Sequence, residues 1–419
     1  MPAVRRSFRR VAFLIVAIAG LILGLSRGAY AQTPVAALDA TRSVGGAKAF
    51  RNLALYPVYD RAARDTRTYM TLDEGLKAKL VSVVEKGQGG EVNALFITNR
   101  AQKPLYLMGG EVVLGGQQDR VLGQDTVIPA GGKSVPVTVF CVEHGRWNGR
   151  AEFAGSAKAV ASAEIRAVAQ GGAYAAKIAS PAAVAMPSGV VDPQTRNVAA
   201  RGQSAAANVP VQQVMGRQQR SAARPAPLGS AQQQVWSKVE SKNAKFRAAN
   251  ATGTYRGVLE GSGGSAAASV TPYLKAFSGG LPPSRGGAKP VGVVVAVNGK
   301  MVTADVFREP GLFAKLWPKL LRAYATDAAE HAAKPGGASS ALPACAPFRK
   351  AKAVAFLKGA QAGKADTVRE NGVALVRRTG KAAVSYRLVD RTGTANAPGA
   401  IAPLHENVVA GTDGGGGRP

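Results

Sequence analysis

Histidine and cysteine are almost missing from this chain: three and two among 419 residues. His144, His331 and His405 stand far apart and match no metal-ligand spacing, so no zinc centre is expected. No Asp-rich loop of the calcium type occurs, and no metal or cofactor is called for. Two cysteines cannot build a disulfide scaffold. An oxidising compartment would permit one bridge, Cys141 to Cys345, which spacing leaves open. Acidic residues are scarce too, 25 Asp+Glu against 54 Lys+Arg. Aromatics make up 6% of the chain, and Tyr174 alone falls between Gly155 and Gln234. That basic stretch therefore lacks base-stacking platforms, and sequence-specific nucleic-acid binding is not expected. Glycine-rich runs such as Gly261–Gly264 lack the Lys-Ser/Thr of a phosphate loop.

What is present begins with an address. Arg5, Arg6, Arg9 and Arg10 precede an apolar run from Val11 to Leu25, and Ala29-Tyr30-Ala31 has the small-x-small form of a signal-peptidase site. Together these predict a secretory signal over 1–31, cleaved after Ala31. A spanning helix needs about 20 apolar residues, so a retained anchor is the weaker reading. No later run is long enough to span, so no transmembrane anchor is expected after cleavage. The protein should reside in the periplasm or outside the cell. Without the five arginines of the signal, the +29 of the whole chain becomes +24. That excess favours an anionic ligand or envelope polymer. The alternative is a general compositional bias, since no block of like charges forms a binding tail.

The order of patterns predicts an α+β protein. Residues 32–50 read as a flexible leader. From 51 to 154 the chain is β-rich, with short period-two runs punctuated by glycine or asparagine, as in an antiparallel sandwich or barrel-like sheet. Within it, Thr71 and Glu74 have capping-box spacing ahead of a short helix. Residues 155–230 form a low-complexity basic insertion, with a possible helix near 156–169. An α+β half follows over 231–390. It opens with a helix near Val235 and Trp236, then a hairpin turning at Asn298-Gly299. An amphipathic helix comes next, with Phe313, Leu316, Trp317, Leu320, Leu321 and Tyr324 on one face. Pro318 should kink or restart it. Asn371-Gly372 marks another turn. The tail, 391–419, reads as disordered.

Two motifs hold the densest chemistry: "GGEVVLGGQQDRVL" (109–122) and "CVEHGRW" (141–147). Candidate ligand groups are Glu111, Gln117, Gln118, Arg120, Glu143 and Arg146. Arginine grips carboxylate or phosphate with two parallel bonds, and a carboxylate can serve as acid or base. The bland reading pairs Glu111 with Arg120 across two strands, Gln117-Gln118 being their turn. Cys141 with His144 makes a poor nucleophile and base, because two to three residues along a strand diverge. A buried structural thiol is the expected role.

These two motifs occur in order with "YMTLDEGL", "GGEVNALFITN", "QQQVW" and "VGVVVAVNGKMVTADVFREPGLFAKLWPKLLRAYATDA". The series resembles the ARG and rhodanese-phosphatase-superfamily-associated protein domain over roughly 50–390. That family usually carries Gly-Ala-Lys-Gln-Asn-Arg where this chain has Gly115 to Arg120, so Gln117 stands in place of a lysine. The resemblance implies no defined reaction. The family's association with ADP-ribosylglycohydrolases and rhodanese-like phosphatases hints at nucleotide or phosphoryl chemistry. The expectation is a non-catalytic binding or structural protein of the cell envelope. The alternative is an enzyme or ligand-binding domain for a phosphorylated or ADP-ribose-like compound. There Glu111 or Glu143 would be the acid/base, and Arg120 and Arg146 the anion clamp.

Overall fold

The computed structural model describes residues 36–85, 93–146, 152–179, 227–284, 286–332, 350–391 and 402–411. The chain is α+β, with mostly antiparallel strands. Its largest sheet has ten strands: β1 (Ala36–Ala37), β2 (Arg42–Val44), β3 (Lys48–Phe50), β4 (Leu53–Asp60), β14 (Pro290–Val297), β15 (Lys300–Phe307), β16 (Lys364–Glu370), β17 (Val373–Thr379), β18 (Ala383–Asp390) and β19 (His405–Ala410). Their order is β1-β2-β4-β14-β15-β19-β18-β17-β16, with β3 paired to β4. Asn298 and Gly299 both take positive φ, as a type I′ turn requires, and close β14 on β15. Asn371-Gly372 does the same between β16 and β17.

The second sheet is six-stranded, in the order β13 (Phe153–Val160), β9 (Glu111–Gly115), β10 (Arg120–Leu122), β12 (Ser134–Cys141), β7 (Ala94–Asn99) and β6 (Val81–Val84). A small third sheet joins β11 (Thr126–Ile128), β8 (Leu105–Leu107) and β5 (Met70–Thr71). The capping box is present at helix α1 (Leu72–Lys77): Thr71 caps Glu74, and Glu74 bonds back to Thr71.

Helix α6 (Pro310–Glu330) lies between the ten-stranded sheet and β13. Leu312, Phe313, Leu316, Leu320, Leu321 and Tyr324 are buried there, against Val293 and Val295 of β14 and Val160 of β13. Pro318 sits inside this helix without ending it. Helix α5 (Ala266–Ala276) packs beside α6, and the short α4 (Arg256–Glu260) bridges to β13. The other face of the large sheet is closed by α7 (Lys350–Gln361) through Ala353, Leu357 and Ala360. Helices α2 (Ala163–Ala179) and α3 (Pro227–Lys245) pair with each other and cover β12.

Parts of three stretches read as loose are ordered, and the rest of each lies outside the described residues. The leader 32–50 supplies β1, β2 and β3. β2 and β3 pair with β4 and β1 pairs with β2, and such pairing leaves no hydrophobic period in so short a strand. Residues 156–169 are not one helix: 153–160 form β13, and α2 starts at Ala163. Small side chains suit this place. Ala157, Ala159, Ala161, Ala169 and Ala173 are fully buried where sheet and helices approach closely. In the tail, β19 lies between β15 and β18 with five of its six residues buried. Its first three, His405, Glu406 and Asn407, are polar and so hid the strand; their partners lie far away in sequence.

Candidate functional site

The β9–β10 hairpin presents the first motif. Gly115 and Gly116 take positive φ, and a Cβ on Gly116 would come within 2.3 Å of the Phe153 ring. The turn that follows is wound around a buried ion cluster. Arg120 donates to Glu85 at 3.0 Å and to Gln118 at 2.9 Å. The Gln117 backbone N–H donates to the other oxygen of Glu85. Asp119 accepts from Gly115 N–H and from the Thr254 hydroxyl. Arg146, a quarter exposed, donates to Glu143 at 2.7 Å and to the carbonyl of Gly116 at 2.7 Å. Asp119 Oδ1 lies 3.4 Å from the same guanidinium.

Five of the six candidate residues therefore come together: Gln117, Gln118, Arg120, Glu143 and Arg146. Glu111 does not join them. Its carboxylate accepts from Met108 N–H and from Lys319 at 2.9 Å, and Lys319 also reaches Asp73. The anticipated Glu111–Arg120 pair does not form, because Glu85, just past the end of β6, takes Arg120.

The electrostatics follow from this pairing. Burial works against ionised Glu143, but the bonds from Arg146 and Asp119 N–H prevail and its carboxyl lies below the ordinary value. Burial raises Asp119, the Glu143 charge adding to it. Three carboxylates (Glu85, Asp119, Glu143) face two guanidiniums. The cluster is thus not cationic, and both arginines are already engaged. Arg120→Leu should cost about 3–5 kcal/mol, because it strands the Glu85 charge in the core. Arg146→Ala should cost less, about 1–2 kcal/mol, because the guanidinium is itself a quarter exposed and water can take its place beside the two buried carboxylates. Urea denaturation of both variants checks the contrast.

Cys141 is fully buried beside this cluster, and burial pushes its thiol up to about 11. Burial thus disfavours the thiolate that a nucleophile needs. The proposed partner Cys345 lies outside the described residues, as does Trp147. The His144 ring packs edge-on against Trp236.

A second ionic cluster, not anticipated from sequence, lies where the sheets meet α2 and α6. Asp305 of β15 is fully buried and accepts both arms of the Arg166 guanidinium, at 2.6 and 3.1 Å. Tyr324 donates to it at 2.5 Å and Asn407 at 3.1 Å. His405 bridges this carboxylate to Asp125, with ring nitrogens 3.1 Å from Asp305 and 2.5 Å from Asp125. Burial alone would lower His405, but the two carboxylates outweigh it and hold it at about 9. Asp305 is held far below the usual carboxylate range; burial opposes this, and Arg166 and His405 overcome it. The one available signal was a charge inside an apolar strand, Asp305 in "VTADVF".

The family-like Met-Gly-Gly-Glu run serves this centre. Gly109 N–H donates to Asp125 at 2.6 Å. Gly110 has φ +96°, and a Cβ there would sit 2.4 Å from Arg166 Cγ. Gly110→Ala should therefore destabilise by about 2–3 kcal/mol, from strained backbone and a displaced arginine. Thermal and urea denaturation measure it, and a change below about 0.5 kcal/mol would remove the close-approach argument.

Among the described residues no group of three or more His, Cys, Asp or Glu side chains is arranged to hold a metal ion. No helix among them is long and apolar enough to cross a membrane. The model of the ARG and Rhodanese-Phosphatase-superfamily-associated Protein domain matches residues 41–179 and 194–396. The chain belongs to this family. No curated protein and no solved structure gives a significant match. The family match spans β2 to β18 and takes in both ionic clusters except His405 and Asn407, which lie beyond its end.

Proposed function

We propose that this member of the family is an exported, non-catalytic binding protein that docks an anionic polymer of the cell envelope. One observation carries the reading: the cationic end of the six-stranded sheet. There Leu80 accepts from Arg100 N–H, Asn99 accepts from Gly132 N–H, and the Asn99 side chain donates to the Lys103 carbonyl. These bonds bring three segments to one place. They carry Lys79, Arg100, Lys103 and Lys133, all exposed. No acidic residue occurs in 75–84, 99–104 or 129–134. None of the four cations has a salt bridge to a described residue, unlike Arg120 and Arg146. Free positive charge thus lies on this rim rather than in the motif cluster, and such a rim raises the local concentration of a polyanion. Export rests on the N-terminal segment and its cleavage site.

Residues 32–419 should bind heparin, a soluble acidic polysaccharide, with affinity that falls steeply with salt. Reversal of the four charges (K79E, R100E, K103E, K133E) should abolish binding without lowering the melting temperature. Unchanged binding would overturn the reading. Fusion of residues 1–31 to a periplasm-dependent reporter, with N-terminal sequencing expected to begin at Gln32, tests export.

The enzyme or nucleotide-binding alternative draws on Arg146, the only guanidinium of the motif cluster with appreciable solvent access. Saturable thermal stabilisation by ADP-ribose, lost in Arg146→Ala, would favour it over the polyanion reading.

A further inference from the structure

A small cleft opens between α2, β17 and β18, next to the His405 centre. It is lined by Gln124, Asp125, Gln170, Tyr174, Tyr386 and Arg387, with Leu375 and Val376 closing an apolar side. Its inner cavity is about 20 Å³ within about 300 Å³ of cleft. Gln170 is 2% and Gln124 8% exposed, yet neither side-chain Oε1 meets a donor. Two buried amide oxygens without partners are costly, and native interiors nearly always satisfy them. Both line the same cavity, and its volume matches one water-sized group with several polar neighbours.

We propose that this cleft is a binding site for a neutral guest that donates two hydrogen bonds, either one water or two neighbouring hydroxyls of a small polyol or sugar. Three features define the guest. Gln124 and Gln170 offer acceptors, so the guest must donate. Charges around the cavity are already matched: Asp125 and Asp305 with His405 and Arg166, and Glu406 with Arg387 at 2.8 Å. An ionic guest would enter without a counter-charge, at a high desolvation cost. The walls of Leu375, Val376 and the two tyrosines suit the carbon frame behind two hydroxyls. Asp125 ties the site to the interior, since its other contacts are Gly109 N–H and His405.

The site is independent of the cationic rim, and its test does not involve polyanions. A high-resolution crystal structure of the wild-type protein, grown without alcohols or polyols, should show a density peak within hydrogen-bond distance of both Oε1 atoms. The near-isosteric variants Gln170→Met and Gln124→Met should each lower the melting temperature, because the guest loses an acceptor. An unoccupied cavity predicts the opposite sign, since removing an unpaired buried amide stabilises. Titration of ethylene glycol and glucose, followed by the Gln124 and Gln170 side-chain amide signals in NMR, separates the sources. A saturable shift with either compound identifies a polyol or sugar. Density without any saturable shift identifies water. No density at the cavity would overturn the proposal, whatever the variants do.

Discussion

Asp305→Leu should remove about 3–5 kcal/mol of stability, a loss as large as that expected of Arg120→Leu. The carboxylate accepts from four side chains drawn from three segments: Arg166 of α2, Tyr324 of α6, His405 and Asn407 of β19. Its removal leaves a guanidinium and an imidazolium inside a fully buried centre without their shared counter-charge. Domain stabilities are typically about 5–15 kcal/mol, so the variant should be marginal. Arg166→Met on its own should also destabilise, because Asp305 then keeps only His405 as a charged neighbour. The double variant Arg166→Met, Asp305→Leu should recover part of the loss, since replacing a whole buried pair with apolar groups of similar size is often neutral. Equilibrium urea denaturation of the two single variants and the double variant measures this coupling. Strict additivity of the two single effects would show that the groups do not act as a unit.

The second large effect is a loss of stability in alkali. His405 is held at about 9 in the folded protein, against about 6.5 in an unfolded chain. A base whose proton is held more tightly when folded stabilises most below the unfolded value. That contribution is fully present below about pH 6.5 and is lost as pH rises through 9. With each tenfold change in proton affinity worth about 1.4 kcal/mol, roughly 3 kcal/mol is at stake. Asp305 acts in the opposite window: its depressed carboxyl adds stability above about pH 4 that disappears in acid. Stability should therefore peak between mildly acid and neutral pH and decline from pH 7 to 10. In His405→Gln the alkaline decline should flatten, although the variant starts from a lower stability. Urea midpoints at pH 6, 7, 8, 9 and 10 read this directly. A wild-type midpoint that stays level to pH 10 would show that His405 is not held protonated.

Much of the local structure was legible in the sequence because its cause is local. Thr71 and Glu74 satisfy each other's backbone donors within one turn, so their spacing identifies the helix start. Asn298-Gly299 and Asn371-Gly372 carry the positive φ angles of their own turns. The apolar stripe from Phe313 to Tyr324 needs only the helical period to show that it faces a core. Of the six candidate residues in the two motifs, five gather in space.

What those groups do once gathered was decided by the tertiary structure. The partner of Arg120 is Glu85 and the partner of Glu111 is Lys319, separated from them by 35 and 208 positions. A side chain's nearest opposite charge depends on which strands and helices lie side by side, and no spacing rule reports that. The same holds for the tail, whose strand is held by backbone bonds to β15, a remote part of the chain, and to β18; the leader strands pair nearer by, β1 with β2, and β2 and β3 with β4. By itself the sequence determined the elements whose hydrogen bonds close within a few residues and the positive charge. Only the packed chain decided which charges cancel in the interior, which remain at the rim, and that His405 lies between Asp125 and Asp305. Ion pairing and burial depend on distance in space, and the fold sets that distance.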